Sequence, residues 1–353
     1  MSDTARRTIS VIVPCRNEIE HIGTFVASVL GQERGDFDLE VVIADGMSTD
    51  GSREAIAACA EEHPGIRMLD NPGLIVSAGL NAALREARGD VIVRMDVHTE
   101  YAPDYIRQCV AVLDATGADN VGGCPRVPAK TFRMRVFGAA YHSPFAVGRS
   151  RCHDPEYEGY VDTVFYGCWR KSTLMRLGGL DEDLVRNQDD ELNLRLTRAG
   201  GKIWQSRRIV CWYNPRTTLR SLFRQYCQYG FWKVLVIRKH RLPASWRHLA
   251  PGAFTLGNAV LVVAALVGAV AGRSAFAVAA LELWAGLLMA YALLSGIAAV
   301  WAARRHGWLT LPFLPFLFLT YHVAYGVGFV AGLVHWAGRP HKRPAAAFVE
   351  LTR

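Results

Sequence analysis

Residues 90–98 read DVIVRMDVH, a short β-branched run that ends in an aspartate and a histidine. Three similar apolar runs precede it, at 8–13 (TISVIV), 39–44 (LEVVIA) and 66–70 (IRMLD). Helical patterns fill the intervals, at 19–30, 52–62 and 77–87. Strands that alternate with helices at this spacing indicate βαβ units and a parallel sheet covered on both faces. The sequence therefore predicts an α/β fold with a mostly parallel sheet.

Polar clusters follow three of these strands. They are Pro14–Glu18, Asp45–Ser52 and Asp96–His98. Ligands of such sheets bind outside the carboxyl ends of the strands, so we expect the three clusters along one edge of one crevice. Asn17 alone could equally cap the following helix, and Asp50 or Ser52 could cap the next one. A dinucleotide-binding glycine pattern is not present in the sequence.

The third cluster carries the most specific chemistry. Asp96 and His98 stand at positions i and i+2 after a buried strand, so both can reach one point in the crevice. A carboxylate and an imidazole can hold Mn²⁺ or Mg²⁺ against a diphosphate. Asp45, at the end of a neighbouring strand, could accept from a base N–H or a ribose hydroxyl. The sequence thus predicts a metal-assisted nucleotide site.

A fourth cluster, Gln188-Asp189-Asp190-Glu191, begins a helix predicted at 189–199. Carboxylates are electrostatically favourable at a helix N-terminus, so helix stabilisation alone is the alternative to a catalytic role. Between the third and fourth clusters the pattern is less regular. We predict a helix at 104–116, a strand near 119–124, a long mobile loop at 125–160 and a strand at 161–170.

The second half of the chain has the charge and hydropathy pattern of a membrane protein. After Glu191 the next acidic residue is Glu282, and 13 basic residues lie between 192 and 250. Residues 217–240 form a predicted basic amphipathic helix with aromatic side chains, suited to the headgroup layer of an anionic membrane. The alternative is a helix packed on the catalytic domain. Nucleic-acid binding is not favoured, since the basic stretch adjoins apolar segments.

Three apolar stretches follow, at 252–272, 275–303 and 309–338. Each exceeds the roughly 20 residues needed to cross a bilayer. The third contains Pro312 and Pro315, so it is predicted either as a third span or as a Pro-broken, re-entrant segment. Basic residues before the first span and after the second place both of those ends inside. We predict a multi-pass protein of the inner membrane.

The predicted organisation has four parts: a catalytic domain at 1–215, a basic juxtamembrane region at 216–250, a transmembrane region at 251–338 and a basic tail at 339–353. Residues 1–7 are polar, without the apolar segment of a signal peptide. The eight cysteines show no paired metal or redox spacing, which suits a reducing compartment. We therefore expect the catalytic domain in the cytoplasm.

Taken together, residues 8–200 resemble the family 2 glycosyltransferases, which have a GT-A fold. The matching segments are VIVPCRNE (11–18), VVIADGMSTDGS (41–52), GDVIVRMDVH (89–98) and GGLDEDLVRNQDDELNLRL (178–196). Their occurrence in this order is more specific than any one of them. The chain is most similar to the membrane-associated branch that builds exopolysaccharides, such as the succinoglycan glucosyltransferases. The resemblance implies a GT-A, Rossmann-like catalytic domain followed by an interface helix and transmembrane helices.

The resemblance also implies a role for each matching residue. Nucleotide-binding residues would be Pro14, Arg16, Asn17, Glu18, Asp45 and Asp96. The metal ligands would be Asp96 and His98, where the family usually has a second aspartate. Asp189 would be the general base that deprotonates the acceptor hydroxyl, with Asp190 as the alternative. The acceptor side would include Trp169, Arg170 and Gln188, and Gln188 stands where the family usually has glutamate.

These roles imply an inverting, metal-dependent transfer of one sugar from a nucleoside-diphosphate sugar, with uridine the expected base, to a lipid-linked acceptor. Processive synthases of the family carry a QxxRW motif, which residues 225–229 (QYCQY) lack. A processive polysaccharide synthase is one alternative. A non-catalytic membrane protein that binds nucleotide is another, disfavoured because buried acids without a ligand are costly.

Overall fold

The structure is a computed structural model that describes residues 6–243, 245–337 and 344–349. It divides into two compact units. The first contains the chain up to Pro128 together with Arg151–Asn214, and the second contains Ala129–Ser150 together with the chain from Pro215 onward. The predicted catalytic domain, 1–215, was continuous. The structure instead assigns 22 of its residues, 129–150, to the second unit.

The first unit is built on the predicted parallel sheet. Its first strands are β1 (Arg7–Cys15), β2 (Phe37–Asp45), β3 (Ile66–Asp70) and β4 (Val91–Arg94), separated by α1 (Ile19–Leu30), α2 (Ser52–Glu62) and α3 (Val76–Glu86). The strands are parallel and lie in the order β3-β2-β1-β4. The α/β prediction is confirmed.

The chain continues through shorter elements. These are β5 (Glu100–Tyr101), α4 (Tyr105–Thr116), β6 (Asn120–Gly122), α5 (Phe132–Tyr141), α6 (Pro144–Val147), β7 (Gly159–Tyr160), β8 (Cys168–Arg170), α7 (Lys171–Leu177), α8 (Gln188–Arg198), β9 (Ile203–Gln205) and β10 (Cys211–Trp212). The main sheet extends beyond β4 in the order β8-β6-β9-β7, with β8 antiparallel to β4. The predicted strand at 161–170 is confirmed only from residue 168. Tyr166 and Gly167 have φ values of +61° and +91°, which an extended strand cannot contain.

The sheet of the first unit is buried on both faces, which explains its continuous apolar runs. Ile9, Val11 and Val13 of β1 pack with α1 and α4 in one core. Ile12, between them in sequence, faces a second core formed with α3, α7 and α8. Because successive strand residues point to opposite faces, a strand between two cores needs apolar residues at every position.

The second unit is helical. Its further helices are α9 (Leu219–His240), α10 (Ala250–Val270), α11 (Ser274–His306), α12 (Leu314–Trp336) and α13 (Ala346–Val349). Three helical segments, Trp246–Val270, Ser274–His306 and Leu314–Trp336, are long and apolar enough to cross a membrane. The third is one continuous helix with Pro315 in its first turn, where proline is tolerated, so proline does not break the helix between Leu314 and Trp336. Most of the predicted basic tail, including Arg339, Lys342 and Arg343, lies outside the described residues.

Residues 129–150, predicted as a mobile loop, form the short helices α5 and α6 of the second unit. Val136, Phe137 and Ala140 are buried in one core with residues of α11 and α12. His322 of α12 contacts both α6 and α11. Its Nε2 lies 2.9 Å from the carbonyl oxygen of Phe145, and its Nδ1 lies 3.0 Å from the hydroxyl of Tyr291. A carbonyl only accepts, so Nε2 donates to it and Nδ1 accepts from the tyrosine. The polar composition of 125–160 concealed this apolar face.

The basic helix α9 packs lengthwise on α12 within the second unit. A Cβ atom at Gly230 would lie 2.0 Å from the carbonyl oxygen of Tyr325, and one at Gly328 would lie 1.9 Å from that of Cys227. Small residues at such positions let two helix backbones approach closely. The apolar side of α9 is thus covered by protein, which differs from the predicted burial in lipid headgroups. Its exposed side still carries Arg220 and Arg224.

Gly328→Ala is expected to lower the stability of the second unit by about 1–3 kcal/mol, because the added methyl group overpacks the contact between α9 and α12. Gly257→Ala in α10 is the matched control, since nothing lies within 4 Å of a Cβ atom at that position. Thermal unfolding of both variants in nanodiscs measures the difference. Equal midpoints for the two variants would contradict the close contact.

Candidate active site

The carboxyl ends of β1, β2 and β4 lie at one edge of the sheet. Cys15 at the end of β1 pairs with Asp45 at the end of β2. Arg94, the last residue of β4, pairs with Ile12 of β1, and Asp96 comes two residues after Arg94. The three polar clusters therefore emerge at the same edge, as the alternation of strands and helices predicts. This edge is the candidate site.

The loops after β1 and β2 are tied together by hydrogen bonds. The backbone N–H of Asn17 donates to the Ser48 hydroxyl at 2.8 Å, and that of Thr49 donates to Asn17 Oδ1 at 2.9 Å. Asn17 has a φ of +52° and does not cap α1. Asp50 does so from the other loop, because its carboxylate accepts from the N–H of Ile19 (3.2 Å) and also from that of Ser52 at the start of α2 (3.0 Å). Asp50 thus accepts from the first backbone N–H of both helices, although the N-cap positions themselves are Glu18 and Gly51.

Pro14 is the penultimate residue of β1. The side chain of Arg16 lies against Gly46, since a Cβ atom added at Gly46 would be 3.1 Å from the Cβ atom of Arg16. Asp45 is fully buried. Its carboxylate accepts from Ser48 and from Arg53, whose Nη1 lies 3.1 Å away. The structure thus brings Asp45 to the predicted edge but directs its carboxylate to protein partners.

Asp96 and His98 leave β4 in a fixed loop. The Tyr101 hydroxyl accepts from the backbone N–H of Asp96 at 2.6 Å and lies 3.3 Å from the carbonyl oxygen of Asp96. The His98 side chain is 46% exposed, and its Nδ1 lies 3.4 Å from Glu18 Oε1. A carboxylate near one ring nitrogen orients a histidine toward a metal at the other.

The donor set that could hold a metal ion at this edge is Asp96 and His98. Among the described residues, no group of three His, Cys, Asp or Glu side chains is placed to hold a metal ion. Mg²⁺ and Mn²⁺ are commonly held by one or two protein ligands plus substrate phosphates, and a carboxylate has about four lone-pair sites. Asp96 and His98 therefore fit an ion that a diphosphate completes, and they do not form a cage by themselves.

Asp189 lies at the start of α8 and meets this cluster through Arg94. The guanidinium donates from Nε to Asp96 Oδ1 at 2.9 Å and from Nη2 to Asp96 Oδ2 at 3.1 Å, and its Nη1 donates to Asp189. Burial raises the pKa of Asp189, and the neighbouring Asp96 and Asp190 raise it further against the opposing effect of Arg94. A carboxylate with a raised pKa is a stronger base, which suits proton abstraction from a hydroxyl.

The other acids of this cluster have different surroundings. Glu191 is buried and paired with Arg195 at 2.7 and 2.8 Å, an ion pair within α8 that explains this acid structurally. Asp190 is partly exposed beside Asp189 and stays the alternative base. Gln188 is the buried first residue of α8, directly after Asn187, whose φ is +62°.

Two predicted acceptor-side residues lie elsewhere in the first unit. Trp169 is buried in the core beneath α7 and α8 and pairs with Ile92 in the middle of β4. Arg170 pairs with Val91 at the beginning of β4 and points to Asp114, which also binds Arg7 at the start of β1. Because β8 runs antiparallel to β4, each step from residue 168 to 170 leads away from the site. The structure thus places Arg170 at the opposite end of β4 from Asp96, and Trp169 in the core.

Sequence reasoning missed Arg94, Tyr101 and Tyr166. Tyr166 reaches Thr99 through hydroxyl groups 2.9 Å apart, and the N–H of Arg94 donates to the carbonyl of Gly167 at 3.1 Å. The sequence did contain one indication of a role for Arg94. It is the single charged side chain inside an apolar strand, VIVRM, and a charge buried there needs a partner.

Comparisons with known proteins agree on the family. Residues 10–176 match the model of glycosyl transferase family 2. The succinoglycan biosynthesis protein ExoA of Rhizobium meliloti is 31% identical over 96% of this chain and 99% of its own. A dolichyl N-acetylglucosaminyl-phosphate diacetamido-dideoxyglucuronosyltransferase of Methanococcus voltae is 24% identical over 92% of this chain and 97% of its own.

Among solved structures, the mannosyltransferase PcManGT of Pyrobaculum calidifontis, in complex with GDP-Man and Mn²⁺, superposes with a TM-score of 0.59. It is 22% identical, and the match covers 95% of this chain and 89% of the other. This likeness concerns the fold.

Proposed function

Because this chain belongs to glycosyl transferase family 2 and is a glycosyltransferase, we propose that it catalyses an inverting, metal-dependent transfer of one sugar from a nucleoside-diphosphate sugar to a lipid-linked acceptor. Membership of the family removes the alternative of a non-catalytic nucleotide-binding protein. The observation that carries the proposal is the placement of Asp96 and Asp189 on the same guanidinium of Arg94.

The donor side is formed by the strand-end clusters. In the proposal, Pro14, Arg16, Asn17, Glu18 and Asp45 line the nucleotide pocket. Asp96 and His98 would hold Mn²⁺ or Mg²⁺. When bound, the ion supplies positive charge that stabilises the diphosphate as a leaving group.

The acceptor side is formed at the start of α8. Asp189 takes the proton of the acceptor hydroxyl. At the same time the oxygen of that hydroxyl forms a bond to the anomeric carbon of the donor sugar. The bond from that carbon to the diphosphate oxygen breaks on the opposite side, so the configuration inverts. The raised pKa of Asp189 supports this role, with Asp190 as the alternative base. Gln188, at the same helix start, is retained as an acceptor-side residue.

The second unit supports a membrane-linked acceptor. Three of its helices are apolar and long enough to span a bilayer, and the relative from Methanococcus voltae acts, by its name, on a dolichyl-phosphate-linked sugar. We propose a multi-pass inner-membrane protein with the first unit in the cytoplasm. The basic residues flanking the first two spans then face anionic lipids on that side.

The proposed product is a single addition, because α9 lacks the QxxRW motif. Incubation of the protein with Mn²⁺, radiolabelled UDP- or GDP-sugars and membrane lipid extract is expected to give one labelled lipid band with one donor. The donor is chosen beforehand by thermal shift, since a bound ligand stabilises the folded state. A ladder of bands would indicate a processive synthase, and no transfer with any donor would contradict the proposal.

A further inference from the structure

Arg94 is buried at the carboxyl end of the central strand β4. Its side chain is 6% exposed, and the residue before it in the strand, Val93, is fully buried. Removing a guanidinium from water costs several kcal/mol unless charged partners compensate for the loss. Burial alone would lower the pKa of Arg94, but the carboxylates of Asp189 and Asp96 raise it overall, so the group stays charged. The position therefore requires its two acidic partners.

The guanidinium uses three of its donor groups as a bridge. Nε and Nη2 form a two-point contact with Asp96, at the end of the strand, and Nη1 reaches Asp189 in the first turn of α8. The planar fork fixes the direction as well as the distance of both partners, which a lysine ammonium cannot do. The two acids stand 93 positions apart in the sequence and belong to the donor and acceptor sides of the proposed reaction.

We propose that Arg94 is a positioning residue that holds the base Asp189 and the donor-side Asp96 in a fixed mutual geometry. The inference rests on the proposed function and adds a residue that the family resemblance did not include. Arg94 is proposed to act through its two partners, without contact to the sugar. The bridge aligns the proton acceptor with the leaving-group side before the substrates arrive.

A second contribution of the bridge is electrostatic. Two carboxylates that lie close together repel each other. The guanidinium between Asp96 and Asp189 reduces that repulsion, so both carboxylates can keep the positions that the bridge sets. A purely structural ion pair would provide the same burial and stability without any effect specific to Asp189.

Arg94→Lys separates the two roles, because it keeps the charge and loses the fork. It is expected to lower kcat by about 10²-fold, the loss typical of a misplaced catalytic group. Arg195→Lys is the matched control, since Arg195 is bound to the buried Glu191 and to backbone carbonyls within the same unit. This control variant is expected to keep kcat within about threefold of wild type, a change small beside the effect of misplacement.

Combination with Asp189→Asn tests whether Arg94 acts through the base. Effects of residues that work as a unit are not additive. The double variant Arg94→Lys/Asp189→Asn is therefore expected to turn over within about threefold of Asp189→Asn alone. If Arg94 only stabilises the fold, the two losses multiply and the proposal is wrong.

Nucleotide affinity supplies a readout besides activity. Calorimetry with the nucleoside diphosphate and Mn²⁺ is expected to show weaker binding to Arg94→Lys than to Arg195→Lys, because Asp96 loses two hydrogen bonds. Where Arg94→Lys reduces the folded fraction, Arg94→Gln and kcat per folded molecule give the same comparison. A wild-type rate in Asp189→Asn would contradict the assigned base. A wild-type rate in Arg94→Lys, with Asp189→Asn inactive, would contradict the role of Arg94 alone.

Discussion

Asp189→Asn is expected to reduce sugar transfer by about 10²–10⁴-fold, the usual contribution of a general base. The amide cannot take up the proton of the acceptor hydroxyl, but its oxygen can still accept from Arg94 Nη1, so the bridge and the fold should persist. Steady-state kinetics with the lipid acceptor measure the loss, and calorimetry with the nucleoside diphosphate is expected to show unchanged affinity.

Asp190→Asn is the control for this variant, since Asp190 neighbours the base in the same first turn of α8. It is expected to retain most of the wild-type rate. The opposite pattern, with Asp190→Asn inactive and Asp189→Asn active, would transfer the role of base to Asp190. Full activity in both variants would overturn the proposed mechanism.

Asp96→Ala is expected to abolish the dependence of nucleotide binding on Mn²⁺ and to weaken that binding by at least about 10–100-fold, a loss that even outer partners of a metal site cause. Removal of the carboxylate deletes one of the two proposed protein ligands. It also frees two donor groups of Arg94. Calorimetry with and without Mn²⁺ measures the change.

Asp114→Ala is the matched control, because Asp114 is also paired with arginine but is 45% exposed and lies at the other end of the sheet. Exposed pairs contribute about 0–1 kcal/mol, so nucleotide binding by this variant should equal that of wild type. Equal affinity of Asp96→Ala and wild type, with and without Mn²⁺, would remove Asp96 from the metal site.

The sequence predicted the parts of the fold that depend on local periodicity. The four parallel strands and the helices between them follow from continuous apolar runs, and the shared edge of Asp45, Asp96 and their clusters follows from strand direction. The three helices that are long and apolar enough to cross a membrane follow from length and hydropathy. These features depend on residues close together in the chain, which is why the pattern suffices.

The parts that sequence reasoning missed depend on distant contacts. The acceptor-side assignment of Arg170 came from the family resemblance. The direction of β8, which takes Arg170 away from Asp96, depends on pairing with β4, which no local pattern shows. Arg94 joins Asp96 to Asp189 across 93 positions, and α9 packs on α12 through glycines that lie far apart in sequence. Pairing geometry of this kind becomes visible only in three dimensions.

The assignment of residues 129–150 to the helical unit bears on how a soluble catalytic fragment could be made. A fragment truncated after Asn214 would keep α5 and α6 but lose α11 and α12, the helices that cover Val136 and Phe137. Those apolar side chains would then face water and favour aggregation. A water-soluble version needs residues 129–150 replaced by a short polar linker as well as removal of the C-terminal helices.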